Sequence, residues 1–167
     1  HPFPTPSGKI EIFSKRLYDM HHPEIPALSH YVPAHEGPED ELAKTFPLQL
    51  ITWKGKNRAN STQYANPWLI EAQQQKLWIN PQDAQKRGIA QGDTVRIHNA
   101  RGICEIPAEV TPRIIPGVVA MQAGAWWQPD EQGIDKGGCA NVLSSARITA
   151  LAKGNSHQTM LVEVAKA

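Results

Sequence analysis

The chain has two cysteines, no long unbroken apolar run and almost no excess of either charge, and each shortage removes a class of function. Cys104 and Cys139 lie far apart with no C-x-x-C pairing, which excludes a local zinc or iron–sulfur motif. Neither cysteine fixes the redox compartment. No run of about 18 or more apolar residues occurs, so no segment reads as a membrane span. Seventeen Lys+Arg balance 16 Asp+Glu, so no global field invites nucleic acid or an acidic membrane, and any anion site must be local. The chain contains no G-x-x-x-x-G-K-[ST] phosphate loop, no H-E-x-x-H pair and no G-x-S-x-G elbow. His1, His21, His22, His30 and His35 crowd the start of the chain without ligand spacing and read as solvated surface. No internal repeat and no low-complexity segment is present.

What is there is globular: 167 residues, 40% of them hydrophobic and 20% charged, enough for one domain with a substantial core plus a leader. Residues 1–45 form the expected leader. Pro2, Pro4, Pro6, Pro23, Pro26, Pro33 and Pro38 crowd it, and KIEIFSKRLYDM is its one periodic piece. With little apolar surface to offset ordering, it should be mobile in isolation. The acidic run Glu39-Asp40-Glu41 reads as solvated. A start at His1 with no signal-like stretch reads as a cut from a longer protein, although a mature secreted domain could begin the same way.

From Phe46 onward, strand signals recur. PLQLITW alternates Leu48, Leu50 and Thr52 against Gln49, Ile51 and Trp53. TVRIHN and ICEIPAEV flank a turn at Asn99 to Gly102, predicting a hairpin with Ile106, Ala108 and Val110 inward, Cys104 in the core and His98 outward. Pro107 points to an edge or a bulge in its second strand. GVVAMQAG is more continuously apolar and predicts a strand buried on both faces, and TMLVEV is the last strand. Short helices are expected around Trp68 to Gln75 and at Pro81 to Arg87. Of the pair Trp126-Trp127, at least one should be core, because adjacent side chains take opposite faces. Six or so strands with few helices suit a closed barrel or a sandwich, and periodicity does not separate the two.

The stretch LWINPQDAQKRGIAQGDTVRIHNARG (Leu77 to Gly102) carries most information. Asn80 can cap a helix, Pro81 fits its first position, Asp83 favours its positive end and Gly88 suits the left-handed residue that ends it. The run resembles the molybdopterin-dinucleotide-binding domain at the C-terminal end of dimethyl sulfoxide reductase-type molybdenum enzymes. TPSGKIEIFS resembles the connector into that domain. ITWKGKNRANSTQYANPWLIE resembles its first cofactor-binding segment. PGVVAMQAGAWW, GGCANVLSS and GNSHQTMLVEV follow in the family's order, so the resemblance covers most of the chain. The ANSTQYANPW wording resembles that of the anaerobic, membrane-attached dimethyl sulfoxide reductase catalytic subunits.

The resemblance implies a mainly β fold with short helices, a β-barrel of double-psi type over residues 46–167, preceded by the irregular Pro-rich leader. It also implies a bis(molybdopterin guanine dinucleotide)-molybdenum cofactor whose metal-ligating side chain lies upstream of this sequence. A periplasmic location, the preceding domains of the same subunit, an iron–sulfur electron-transfer subunit and a membrane-anchor subunit are implied with it. Physical reasoning favours the same loop. Trp53-Lys54-Gly55-Lys56-Asn57-Arg58-Ala59-Asn60-Ser61 follows a buried strand, packs three cations into five residues and offers amides and hydroxyls around a glycine. Carried over, the cofactor-binding candidates are Thr52, Trp53, Lys54, Arg58, Asn60 and Ser61. They are joined by Asn141, behind Gly137-Gly138, where an amide can read a purine edge, and by His157 and Gln158 in the tail loop. That tail departs from the G-(T/N)-P of many relatives. The rival reading is a double-psi barrel serving as a protein-interaction or adaptor module, which rests on fold alone.

Overall fold

The computed structural model describes residues 1–155 and 158–167, and the expected position His157 lies outside them. The chain divides into two compact units. One takes His1–Pro33 with Arg147–Asn155. It holds helix α1 (Lys15–Asp19), capped by the Ser14 hydroxyl on Leu17 N. A bridge between Phe13 and Leu28 and an ion pair of Arg147 with Glu24 at 2.7 Å tie its segments together.

The second unit begins at Ala34 and contains the six strands found among the described residues. They are β1 (Leu48–Trp53), β2 (Leu77–Ile79), β3 (Thr94–His98), β4 (Ile103–Val110), β5 (Val118–Gln122) and β6 (Met160–Lys166). They close into a barrel in the order β1-β5-β2-β4-β3-β6. The β1–β5 and β2–β4 pairs are parallel and the rest antiparallel. A closed, mainly β barrel with few short helices is the architecture expected. Its inside is the core: Leu48, Leu50, Leu77, Ile79, Val95, Ile97, Cys104, Ile106, Ala108, Val119, Met121, Met160, Val162 and Val164 form one buried cluster. The alternation in β1 and β3 follows from one inward and one outward face, and in β4 it is interrupted where Glu105 is buried between Cys104 and Ile106. In β5, Val119 to Gln122 are all buried, as its continuous apolar run predicts.

Local signals explain the helices. Asn80 accepts from Gln82 N at 2.9 Å and Pro81 opens α3 (Pro81–Lys86), which ends before Gly88 at φ +64°. Asn66 caps α2 (Pro67–Ala72) in the same way, so this helix starts one residue earlier and stops three earlier than the sequence suggests. The Asp83 carboxylate does more than favour a helix end. Buried, it accepts from Gly117 N at 2.7 Å and so fixes the approach to β5.

Four expectations need correction. Pro107 is in neither an edge strand nor a bulge: it lies exposed on the wall of the closed barrel, where β4 passes from partner β3 (residues 103–107) to partner β2 (residues 108–110). Trp126 and Trp127 are both exposed, because the chain leaves the barrel after Gln122 and no longer alternates between two faces. His98 is on the outward face as expected, but it is half-buried rather than solvated, with its ring edge-on to Phe46 at 6.1 Å. Asp40 is not merely solvated: it caps the 3-10 turn Glu41–Lys44 by accepting from Leu42 N at 2.9 Å.

Candidate dinucleotide-binding rim

Strand register decides which loops meet. β1 and β5 run parallel with Trp53 beside Gln122, so both strands end at the same mouth of the barrel. β6 runs antiparallel to β1 with Met160 beside Leu50, so β6 begins at that mouth. The loops that leave Trp53 and Gln122, and the residues that lead into Met160, are therefore neighbours. A cleft of about 110 Å³ lies there, lined by Thr52, Ser61, Ala123, Gly124, Ala125, Cys139, Ala140, Asn141 and Met160. Gln158 closes one side: its amide accepts from Thr52 N at 2.8 Å and donates to Thr52 Oγ1 at 2.8 Å.

Of the residues named from sequence, Thr52, Ser61, Asn141 and Gln158 are thus brought to one rim. Asn141 is exposed on the 3-10 turn Ala140–Leu143. Lys54 is exposed and its ammonium donates to Asn60 Oδ1, which ties two candidates to each other. Asn60 itself turns the loop at φ +55°. Trp53 points away from this cleft: its ring lies 5.0 Å from Trp78 and lines a separate cleft with Glu71, Lys76, Glu109 and Arg113. Arg58 turns inward, donating to Gln75 Oε1 at 2.8 Å and lying 5.0 Å over the Tyr64 ring. Burial lowers its pKa below the usual arginine value, against a smaller opposing pull from Tyr64.

The residues that sequence reasoning missed are those that hold the loops together. Gln75 Nε2 donates to Gln122 O at 2.8 Å and to Gly138 O at 3.0 Å. Tyr64 Oη donates to Gly137 O at 2.9 Å, and Gln122 Nε2 to Asn57 Oδ1 at 3.0 Å. Gln122 carried one signal, a polar residue ending a buried apolar strand. Close approach explains the glycines. A side chain on Gly124 (φ +91°) would run into the Asn60 carbonyl group and stand 2.9 Å from Ser61 N. One on Gly55 would collide with the Gln122 amide. Burial raises the pKa of both thiols, Cys139 in the cleft and Cys104 in the core, so neither is a thiolate nucleophile at neutral pH.

The donor set suits a polar, anionic heterocyclic ligand: hydroxyls of Thr52 and Ser61, amides of Asn141 and Gln158, and the Lys54 ammonium at the edge. Among the described residues, three buried side-chain polar atoms have no hydrogen-bond partner: Trp53 Nε1, Arg58 Nε and Gln122 Oε1. All three lie in or against the 53–58 loop. A buried polar group normally finds a partner, so this loop carries bonding capacity that the chain alone leaves unused.

The comparisons with known proteins agree. The family described as "Molydopterin dinucleotide binding domain" matches residues 48–161. The chain belongs to the molybdopterin dinucleotide binding domain family. It is 51% identical to dimethyl sulfoxide reductase DmsA of Escherichia coli K12 over 99% of this chain and 21% of that protein. It is 38% identical to trimethylamine-N-oxide reductase of Haemophilus influenzae, over 99% of this chain and 21% of that protein. The chain therefore spans about a fifth of the length of these curated relatives. Acetylene hydratase from Pelobacter acetylenicus shares the fold, with a TM-score of 0.78 at 19% identity, over 98% of this chain and 24% of that one. The molybdopterin dinucleotide binding domain thus has its matched span running from the first barrel strand to the last, around the rim described above.

Proposed function

We propose that this domain grips the dinucleotide portion of a bis(molybdopterin guanine dinucleotide)-molybdenum cofactor. The observation that carries the reading is the meeting of three sequence-distant connectors, near Thr52–Ser61, at Asn141 and at Gln158, around one cleft. In this reading Thr52, Ser61, Asn141, Gln158 and Lys54 contact the cofactor directly. Trp53, Arg58 and Asn60 shape the loop that receives it. Residues 46–167 are the clamp and residues 1–45 the connector from preceding domains of the same subunit. When bound, the molybdenum cofactor supplies oxygen-atom transfer, while these residues bind it, orient it and keep water from its nucleotide end. Family membership favours this over the adaptor reading.

The relatives' names support a parent subunit that reduces dimethyl sulfoxide and related S- or N-oxides; that it does so in anaerobic respiration, and that this domain alone has no turnover, are part of the same proposal. An iron–sulfur electron-transfer subunit, a membrane-anchor subunit and a periplasmic site belong to the same proposal. Among the described residues no helix is long and apolar enough to cross a membrane.

Lys54→Glu tests the site, since Lys54 is exposed and its replacement should spare the fold. In the full subunit carrying this chain, guanine nucleotide released on acid treatment should fall several-fold while the melting temperature stays unchanged. Full loading in that variant would refute the role of Lys54. Absence of guanine nucleotide from the unmodified subunit would refute the whole reading.

A further inference from the structure

A fully buried carboxylate stands behind the cleft. Asp135 has no solvent exposure, and its partners are backbone donors. Oδ1 accepts from Gln128 N at 2.8 Å and from Gly137 N at 3.0 Å, and Oδ2 accepts from Cys139 N at 2.6 Å. The Cys104 thiol also hydrogen-bonds to it. A carboxylate out of water persists only where such bonds replace its hydration, so these donors must be held in place. Its backbone is fixed to the barrel wall as well: Asp135 N donates to Ile103 O at 3.0 Å and Glu105 N donates to Asp135 O at 2.8 Å.

We propose that Asp135 is the positioning residue of the cleft, fixing the loop through Gly137, Gly138 and Cys139 so that Asn141 faces the dinucleotide; this rests on the cofactor reading above. The loop has little freedom in the middle. A Cβ on Gly137 would meet Trp126 O, and one on Gly138 would meet Gln75 Cγ. The 3-10 turn that presents Asn141 starts at Cys139 with no side-chain cap. Its start is held at Cys139 N by Asp135, next to the Gln75 bond to Gly138 O. Its far end is held by Asn99 Nδ2 and Arg101 Nε, which donate to Leu143 O at 2.8 and 2.9 Å. Of these two anchors, the Asp135 arm ends at Cys139, which itself lines the cleft.

Asp135→Asn isolates that arm. The amide keeps one oxygen for Gln128 N and Gly137 N but turns an NH2 group toward the Cys139 N–H, which loses its acceptor. In the full subunit, hydrogen exchange across residues 139–143 should accelerate about tenfold or more, the factor that one lost charge-assisted bond implies. Exchange across residues 126–133 should hold, the melting temperature should move by a few degrees, and released guanine nucleotide should drop in step with the 139–143 exchange. A purely structural aspartate would give the faster exchange with full nucleotide loading. That result overturns the proposal and leaves the cofactor reading standing, as does unchanged exchange. An unmodified subunit that releases no guanine nucleotide fails both. Should Asp135→Asn not fold, Tyr64→Phe takes its place. It removes the hydroxyl that donates to Gly137 O and keeps the ring beneath Arg58. Asp135 acts only through that loop, so faster exchange there with normal loading overturns the proposal, and faster exchange with lower loading upholds the link between loop order and loading on which it stands.

Discussion

Gly124→Ala, measured beside Gly88→Ala, separates backbone strain from close packing at the rim. Both glycines have positive φ, +91° and +64°, so alanine at either costs roughly 1–2 kcal/mol for the left-handed conformation alone. Their surroundings differ. Gly88 has nothing within 4 Å of a would-be Cβ, so that cost is the whole effect. At Gly124 the same methyl collides with the Asn60 carbonyl group and presses on Ser61 N at 2.9 Å. These neighbours are backbone, and no side-chain rotation relieves them. Overpacking of this kind adds about 1–3 kcal/mol. The push on Ser61 also breaks the Trp126 Nε1 bond to Ser61 O, now 2.9 Å. For a chain of this size 1 kcal/mol corresponds to roughly 2–4 °C. Gly124→Ala should therefore melt several degrees below Gly88→Ala. It should also lose guanine nucleotide in the full subunit, because Asn60 and Ser61 shift, whereas Gly88→Ala keeps its loading. Equal melting losses with equal loading would refute the close-packing argument.

Val95 is fully buried in β3, so Val95→Asp places an unpaired charge inside the barrel at a cost of several kcal/mol. Circular dichroism should show no cooperative melt, and a melt near that of the unsubstituted chain would show the face assignment to be wrong. Glu105, buried on β4, is held below the usual glutamate value of 4.5 chiefly by the Lys136 ammonium, with Arg96 Nε at 2.8 Å adding to it and burial opposing. A depressed carboxyl contributes stability above its ordinary value and loses it as pH falls through the folded value. Glu105→Gln should thus melt lower at pH 7, with the gap closing below about pH 4.5. A gap that stays constant from pH 7 to 3 would count against the ion-pair account.

Much of the fold was legible because its signals are short-ranged. Asn80, Pro81 and Gly88 bound α3, and the alternation of Val95 with Ile97 marks β3. β2 was not legible: three residues, Leu77–Ile79, are too few to show a period, and the strand exists because β4 and β5 pair with it from both sides. Pro107 misled for a related reason, since its lost N–H matters little at the point where β4 exchanges one partner for the other. In the candidate site, Lys54, Ser61, Asn141 and Gln158 could be named from side-chain chemistry and family resemblance. Trp53 and Arg58 share that loop's chemistry, yet the structure turns both away from the cleft.

The sequence by itself determined most of the strand and helix segments, β2 apart, and which loops carry cations, amides and hydroxyls. Caps, alternation and glycine conformation act over a few residues, and composition needs no neighbours. Only the tertiary structure decided that Gln158 would sit on Thr52, 106 residues away, and that Gln75 would hold Gln122 and Gly138 across 47 and 63 residues. Those meetings follow from barrel closure and strand register, where each pairing depends on all the others, and no local stretch of chain contains that information.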